Sequence, residues 1–251
     1  MSQSLKKGIE ALLFLASRKS VGVTELAEAL EVHKSTAFRI LDTLQEANMV
    51  EKSKETLKYR LGPTILQLSE QYYRNFSIVA VARPIMERLV SEIRESVHLG
   101  VLVNNSAVII EQILSDSRLV VNAKVGGSEP LHCSSVGKCL LAFAPEEQRG
   151  KMLKSICFDA YTDKTITSIA RLQEELEKVR RLGYAVDDEE LSPNIKCAAV
   201  PLMNRQGACV YSLGASGVAS RMTDEKMEKL IPLMLRAAAE INTHLKTGIG
   251  V

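Results

Sequence analysis

The sequence predicts a two-domain α+β chain: a winged helix-turn-helix, a linker helix, and a domain of mixed or antiparallel sheet flanked by helices. Three observations carry this reading. Residues 4–61 give helix, helix, turn, helix and then two short alternating segments. Gly62-Pro63 interrupts the pattern. Beyond residue 96 the apolar spacing turns from helical to alternating, in runs that mix with helices without strict βα order. The boundaries expected are 1–62, 63–77 for the linker, and 78–251. A chain of 251 residues with 46% hydrophobic side chains has material for two cores.

In the first helix Ile9, Leu12, Leu13, Leu15 and Ala16 form an apolar stripe behind a Ser4 N-cap. After Ser20-Val-Gly-Val, Thr24 caps a brief second helix. That helix buries Leu26, Ala27 and Leu30 and keeps Glu25 and Glu28 outward in its first turn, where negative charge suits the helix dipole. Glu31-Val-His33 is the turn, and the third helix, 34–47, sets Ala37, Ile40, Leu41 and Leu44 against the core. Segments 49–52 and 57–61 alternate around Ser53-Lys-Glu-Thr56, a hairpin with a charged tip. A connecting helix over 63–76 carries Ile65, Leu66, Leu68, Tyr72 and Tyr73. The next helix, 78–94, holds Pro84 as a kink or restart. Strands are expected at 97–103, 108–114 and 119–124, with Gly126-Gly127 breaking the third. Helices follow from Ser134 or Ser135 to Ala144, at 145–156 and at 168–182. Further strands fall at 184–186, 198–203 and 209–215, before a last helix at 224–245.

The third helix must bury one side and still offer a DNA major groove short polar and basic groups. Lys34, Ser35, Thr36 and Arg39 stand near its N-terminus, the end that reaches base edges in helix-turn-helix proteins. Arg39 suits guanine O6 and N7, while Ser35 and Thr36 suit bases or phosphates. Lys52, Lys54, Lys58 and Arg60 on the wing suit backbone phosphates. Residues 1–62 hold ten Lys and Arg against eight Asp and Glu, and the whole chain has a formal net charge of +2. The order of elements, more than charge, therefore points to double-stranded DNA. With no Trp and 4% aromatic residues, stacking platforms for single-stranded nucleic acid are not expected.

In the second domain Val136-Gly-Lys138 fails as a phosphate loop. His132 stands where the loop requires Gly, and Cys139 where it requires Ser or Thr. What survives is an anion site at a helix start, made by Ser134, Ser135 and backbone N–H groups and fit for a carboxylate. His132 beside Cys133 is a poor nucleophile pair, since adjacent residues seldom face one site. The His residues at 33, 98, 132 and 244 have no metal-ligand spacing. No catalytic residue, cofactor or metal is expected. The acidic run Asp187-Asp-Glu-Glu190 reads either as a solvated loop or as one with a member turned inward to a ligand. Five Cys, at 133, 139, 157, 197 and 209, form no C-x-x-C pair, as in a reduced cytoplasmic protein. No apolar run nears the ~20 residues of a membrane span. The start, Met1-Ser-Gln-Ser-Leu-Lys-Lys7, leads into an amphipathic stretch instead of a signal-peptide core.

An ordered series of strings over nearly the whole chain then resembles the IclR family of transcription regulators. In the first domain these are Leu26-Ala27, Lys34-Ser-Thr-Ala-Phe-Arg39-Ile-Leu-Asp-Thr-Leu44 and Tyr59-Arg-Leu-Gly62. Ala82-Arg-Pro84, Val125-Gly126, Pro130-Leu-His132 and Gly137-Lys-Cys-Leu-Leu-Ala142 follow. Gly183-Tyr-Ala-Val-Asp-Asp-Glu-Glu190, Cys197-Ala-Ala199 and Ser216-Gly217 close the series. The resemblance implies a winged helix-turn-helix joined by a linker helix to a GAF-like α/β effector-binding domain. It implies homodimers, often paired into tetramers, on palindromic or near-palindromic operators. It also implies an effector between the central sheet and the loop and helix around 126–140. Asp187, Cys197 and Ser216 would line that site, with Glu129, Leu131 and the Ser134, Ser135 and Gly137 segment over it. Gly214 stands where relatives that bind small keto acids can carry Ser, and Glu129 where an apolar residue occurs in others.

The expected function is a regulator, a repressor of a catabolic operon, whose operator affinity answers to a small organic acid such as a sugar-acid catabolite. The linker helix would be the element that the ligand shifts. The alternatives are an activator of aromatic-acid or short keto-acid catabolism, a hydrolase with a DNA-binding head, and a protein-interaction adaptor.

Overall fold

The structure, a computed structural model, describes residues 2–75 and 77–246. It divides into two units, Met1–Asn75 and Phe76–Val251. Phe76, where the connecting helix was expected to end, and the side chains of Tyr72 and Tyr73 lie outside what is described.

The first unit contains α1 (Gln3–Ala16), α2 (Val23–Ala29), α3 (Lys34–Glu46), β1 (Val50–Lys52), β2 (Tyr59–Leu61) and α4 (Thr64–Asn75). Its core is Ala11, Leu15, Val21, Leu26, Ala27, Leu30, Ala37, Leu41, Val50 and Tyr59. Each large side chain in it contributes about 1.5–3 kcal/mol of transfer free energy. β1 and β2 pair antiparallel, Val50 opposite Leu61, and Val21 adds a bridge to Tyr59. Three local expectations are corrected. Ser2, not Ser4, caps α1, its Oγ accepting from the Leu5 N–H at 3.4 Å. Gly22, not Thr24, stands at the start of α2, and the Glu25 carboxylate accepts from the Gly22 N–H, supplying the side-chain partner a glycine lacks. Glu28 lies beyond the first turn. On α1 the core takes the stripe of Ala11 and Leu15. Ile9 and Leu13 belong to a neighbouring stripe with Leu5 and are 51% and 64% exposed. Ala16 is exposed as well.

The second unit contains α5 (Ser77–Ile93), β3 (Ser96–Val103), β4 (Ser106–Ile113), β5 (Ser128–Glu129) and α6 (Ser135–Ala142). It continues through α7 (Glu146–Ser155), α8 (Ile169–Leu182), β6 (Ala185–Asp188), β7 (Ile195–Met203), β8 (Cys209–Val218) and α9 (Asp224–Lys246). The sheet order is β5-β4-β3-β8-β7-β6, and every pair is antiparallel. Of the two arrangements left open by the sequence, the antiparallel one is realised. Alternation divides each central strand between two covered faces. Val97 and Leu99 of β3, with Ala198, Val200, Leu213 and Ala215, join the cluster built with α5 and α9. Ala185 and Ala199 meet α6 and α8 on the other face. Gly100 allows that approach: a Cβ there would collide with the Val136 side chain.

Two further expectations change. Of the kink or restart expected at Pro84, the restart is overturned, for α5 runs unbroken from Ser77 to Ile93. Burial of Ile78, Ala82, Ile85 and Met86 on both sides of the proline outweighs the ~3 kcal/mol it costs a helix. Residues 119–124 form no strand. Side chains hold this segment in place of a ladder, Gln112 Nε2 donating to the Val121 carbonyl at 3.2 Å and Arg221 Nη2 to that of Leu119 at 3.0 Å. The strand paired to β4 is instead the two-residue β5, directly after Gly126-Gly127. No helix of the described residues is long and apolar enough to cross a membrane.

Candidate functional site

In the first unit α3 buries Ala37 and Leu41 and presents Lys34, Ser35, Thr36 and Arg39 to solvent on one exposed face. The turn before it closes with Glu31 in the left-handed region at φ 52°. Lys52, Lys54 and Lys58 of the wing are exposed too, and Lys52 Nζ rests 5.3 Å from the centre of the Tyr59 ring. Among the described residues no carboxylate lies within ion-pair distance of Lys34, Arg39, Lys54 or Lys58. Arg60 differs from its wing neighbours: its Nε pairs with Glu51 at 2.6 Å across the hairpin.

In the second unit a cavity of about 140 Å³ opens between the sheet and the start of α6. Glu129, Ser135, Asp187, Cys197 and Ser216 line it together. The antiparallel register explains the convergence, since Cys197 pairs with both Asp187 and Ser216 and the three point to one face. Leu131, Ser134 and Gly137 do not line it. Leu131 is buried with Val136 and Leu140. Ser134 caps α6, accepting from the Gly137 N–H at 2.9 Å and donating to the Pro130 carbonyl at 2.8 Å. At Gly137 a Cβ would stand 2.5 Å from the Pro130 oxygen and 2.7 Å from Leu131 Cα. Gly137→Ala is therefore expected to destabilise the chain by ~1–3 kcal/mol through overpacking; an unchanged melting temperature would refute that.

Sequence reasoning missed His98, segment 121–123, Leu191, Ser192 and Ile195, which complete the lining. His98 lies opposite Gly214 in the β3–β8 register, and a Cβ on Gly214 would collide with the imidazole. The signal existed only as Gly214, one of two glycines in β8. Burial drives the His98 pKa down to about 4, so the ring is neutral, and its Nδ1 has no hydrogen-bond partner.

The acidic run divides between core and solvent. Asp187 and Glu190 are buried, while Asp188 and Glu189 bind the exposed Lys164. Asp187 Oδ1 accepts from the Glu190 and Leu191 N–H groups at 2.7 and 3.3 Å. Burial, with Glu190 nearby, pushes its carboxyl up to about 7 against these bonds. Burial also raises Glu129. Lys138, fully buried, pairs with Glu190 at 2.5 Å and Glu175 at 3.2 Å, so it offers no ammonium to a nucleotide phosphate. Burial pushes the Cys133 thiol far up, and the His132 ring is engaged by the Asp159 carbonyl at 3.0 Å; neither suits nucleophilic chemistry. Among the described residues no group of three His, Cys, Asp or Glu could hold a metal ion.

Residues 70–243 match the family model described as the bacterial transcriptional regulator IclR C-terminal domain, and residues 4–54 match the IclR helix-turn-helix domain. The chain is 31% identical over 242 residues to the transcriptional repressor IclR of Escherichia coli K12, covering 95% of this chain and 88% of that one. It is 31% identical over 245 residues to the E. coli K12 repressor AllR, covering 97% and 90%. A solved IclR homolog of Microbacterium hydrocarbonoxydans, complexed with 4-hydroxybenzoate, superposes with a TM-score of 0.81 at 25% identity, covering 97% and 99% of the two chains.

Proposed function

The chain belongs to the IclR family of bacterial transcriptional regulators, is not an enzyme, and pairs a DNA-binding domain with a C-terminal effector domain; we propose that it represses a catabolic operon and responds to a small organic acid. α3 would enter the major groove, with Arg39 reading guanine, Ser35 and Thr36 meeting bases or phosphate, and Lys34 with the wing lysines Lys52, Lys54 and Lys58 on the backbone. The observation that carries this is the exposed face of α3, where Lys34, Ser35, Thr36 and Arg39 stand free of ion pairs beside an exposed Phe38 and above a buried Ala37 and Leu41. Two copies on a palindromic or near-palindromic operator would set recognition helices ~34 Å apart. The exposed stripe of Leu5, Ile9 and Leu13 on α1 supports a homodimer, which can pair into a tetramer. The domain limits we assign are 1–62, 63–77 and 78–251, in a cytoplasmic protein.

The effector would bind in the cavity of Glu129, Ser135, Asp187, Cys197 and Ser216, with Leu131, Ser134 and Gly137 shaping the loop above it. The complex of the Microbacterium relative with an aromatic acid supports an acid as its class. A ligand that prefers one arrangement of the linker by ~1–3 kcal/mol would change operator affinity roughly 5–150-fold. Arg39→Ala is expected to weaken specific binding to promoter DNA by ~1–3 kcal/mol in a gel-shift titration. Equal affinity of variant and wild type would remove Arg39 as a base reader. Failure of the wild type to retain its own promoter at moderate salt would overturn the whole reading.

A further inference from the structure

The tip of the wing displays an apolar side chain on a strained backbone. Residues 53–58 form the turn between β1 and β2, and in it Leu57 is 64% exposed at φ 55°. Among the described residues eight non-glycines have positive φ. Four of them are asparagines, and Leu57 is the one with an apolar side chain. A left-handed residue closing a hairpin turn is best served by Gly or Asn, which enter that region with less clash than a longer side chain. Four hydrogen bonds hold Leu57 there nonetheless. Its N–H donates to the Ser53 carbonyl at 3.0 Å, and the Ser53 N–H to the Lys58 carbonyl at 2.9 Å. The Thr56 N–H donates to the Ser53 hydroxyl at 3.2 Å, and the Lys58 N–H to the Thr56 hydroxyl at 3.4 Å. With the side chain out of the core and the backbone strained, the fold gains nothing from a leucine at this position.

The surroundings give the chemistry of the partner. Lys52, Lys54 and Lys58 are exposed on the same hairpin, Glu55 is the carboxylate of the tip, and Glu51 is taken up by Arg60. Val50 and Tyr59 root the hairpin in the core that also holds Ala37 and Leu41 of α3, so the wing is fixed beside the recognition helix. With α3 in a major groove, the wing lysines meet the phosphates at its edge, and the next groove beyond them is a minor one. Cations around an apolar point suit the phosphate walls and stacked bases of that groove. Resting on the assignment of α3 to DNA, we propose that Leu57 is a wedge that enters the minor groove, unstacks one base step and bends the operator. A pyrimidine–purine step, the easiest to unstack, is the expected point of insertion. The wing would thereby add sequence preference without a hydrogen bond to any base.

The test uses the full chain and a fragment of its own promoter, labelled at both ends so that energy transfer reports bending. Permanganate, which attacks unstacked thymine, marks the opened step. Wild type is expected to bend the fragment and to make thymine at that step reactive. Leu57→Asn suits the left-handed backbone and should melt no lower than wild type. It should bind the fragment about tenfold more weakly, lose the bend and the reactive thymine, and keep its salt slope, since no phosphate contact is removed. Leu57→Met keeps an apolar wedge and should retain the bend, with affinity within about twofold of wild type. Lys54→Ala should instead lower the salt slope by ~1 and leave the bend in place. Equal binding and bending by Leu57→Asn and wild type overturns the wedge and leaves α3 as the reader; if that variant also sediments as a smaller species, Leu57 belongs to a contact between copies. Equal losses in Leu57→Asn and Leu57→Met, or a wild type that binds without bending, overturn the wedge as well. A wild type that does not retain the fragment overturns the DNA reading itself, and the wedge with it.

Discussion

Lys138→Met is expected to lower the stability of the effector domain by ~3–5 kcal/mol at neutral pH, the cost of removing one partner from a buried ion pair. Lys138 is fully buried on α6 and joins Glu190, from the loop after β6, to Glu175 of α8. Without the ammonium, two carboxylates remain close together, and Glu190 already has a buried Oε2 with no partner. For a domain of this size the melting temperature should fall by roughly 6–20 °C. Burial raises the Glu190 carboxyl even with Lys138 present, so removing the lysine raises it further. The deficit should therefore shrink as pH falls and Glu190 takes up a proton. Lys138→Met combined with Glu190→Gln should recover much of the loss, since a neutral group leaves no buried charge. A single variant that melts with wild type at pH 7 would show that the pair does not hold α6, α8 and the acidic loop together.

Asp187→Asn should alter how stability depends on pH. The folded carboxyl titrates at about 7, above its ordinary value of 3.8, because burial disfavours the charge. The sign follows from proton binding. Between pH ~4 and ~7 the native state holds a proton that the unfolded chain releases, so wild-type stability from this group is full at low pH and is lost as pH rises through ~7. Asparagine keeps the acceptor used by the Glu190 and Leu191 N–H groups and cannot ionise. The stability of the variant relative to wild type should grow by ~2–3 kcal/mol from pH 5 to pH 8, at ~1.4 kcal/mol per pH unit of linkage up to the folded pKa. Parallel melting profiles across that range would show that Asp187 titrates normally.

The Glu95 cluster shows why a buried acid need not behave this way. Burial alone would raise Glu95, but Arg221, bidentate at 2.9 and 2.7 Å, and Lys226 hold it below the usual range. Asp187 has backbone amides and no direct cation, so burial wins. The two acids are equally plain in the sequence, and only their partners separate them.

Features that depend on neighbours within a turn or a strand were legible in the order of residues. Apolar spacing placed α3, α8 and α9 within a residue or two, and alternation placed β3 and β4. A cap for α6 was legible as Ser134 or Ser135 because a cap bonds to an amide three residues away, and it is Ser134. The order of helices and wing pointed to DNA on the same local grounds. The tertiary structure decided which stripe of α1 is buried, why Pro84 does not break α5, and why the apolar run at 119–124 joins no ladder. It also decided that Lys138, in a string that imitates a phosphate loop, is a buried ion-pair partner. His98 was no more than an isolated histidine until β3 met β8 and set it over Gly214. Such facts rest on contacts between residues far apart in the chain, and burial, which sets the cost of each charge and the room for each ring, is a property of the packed whole.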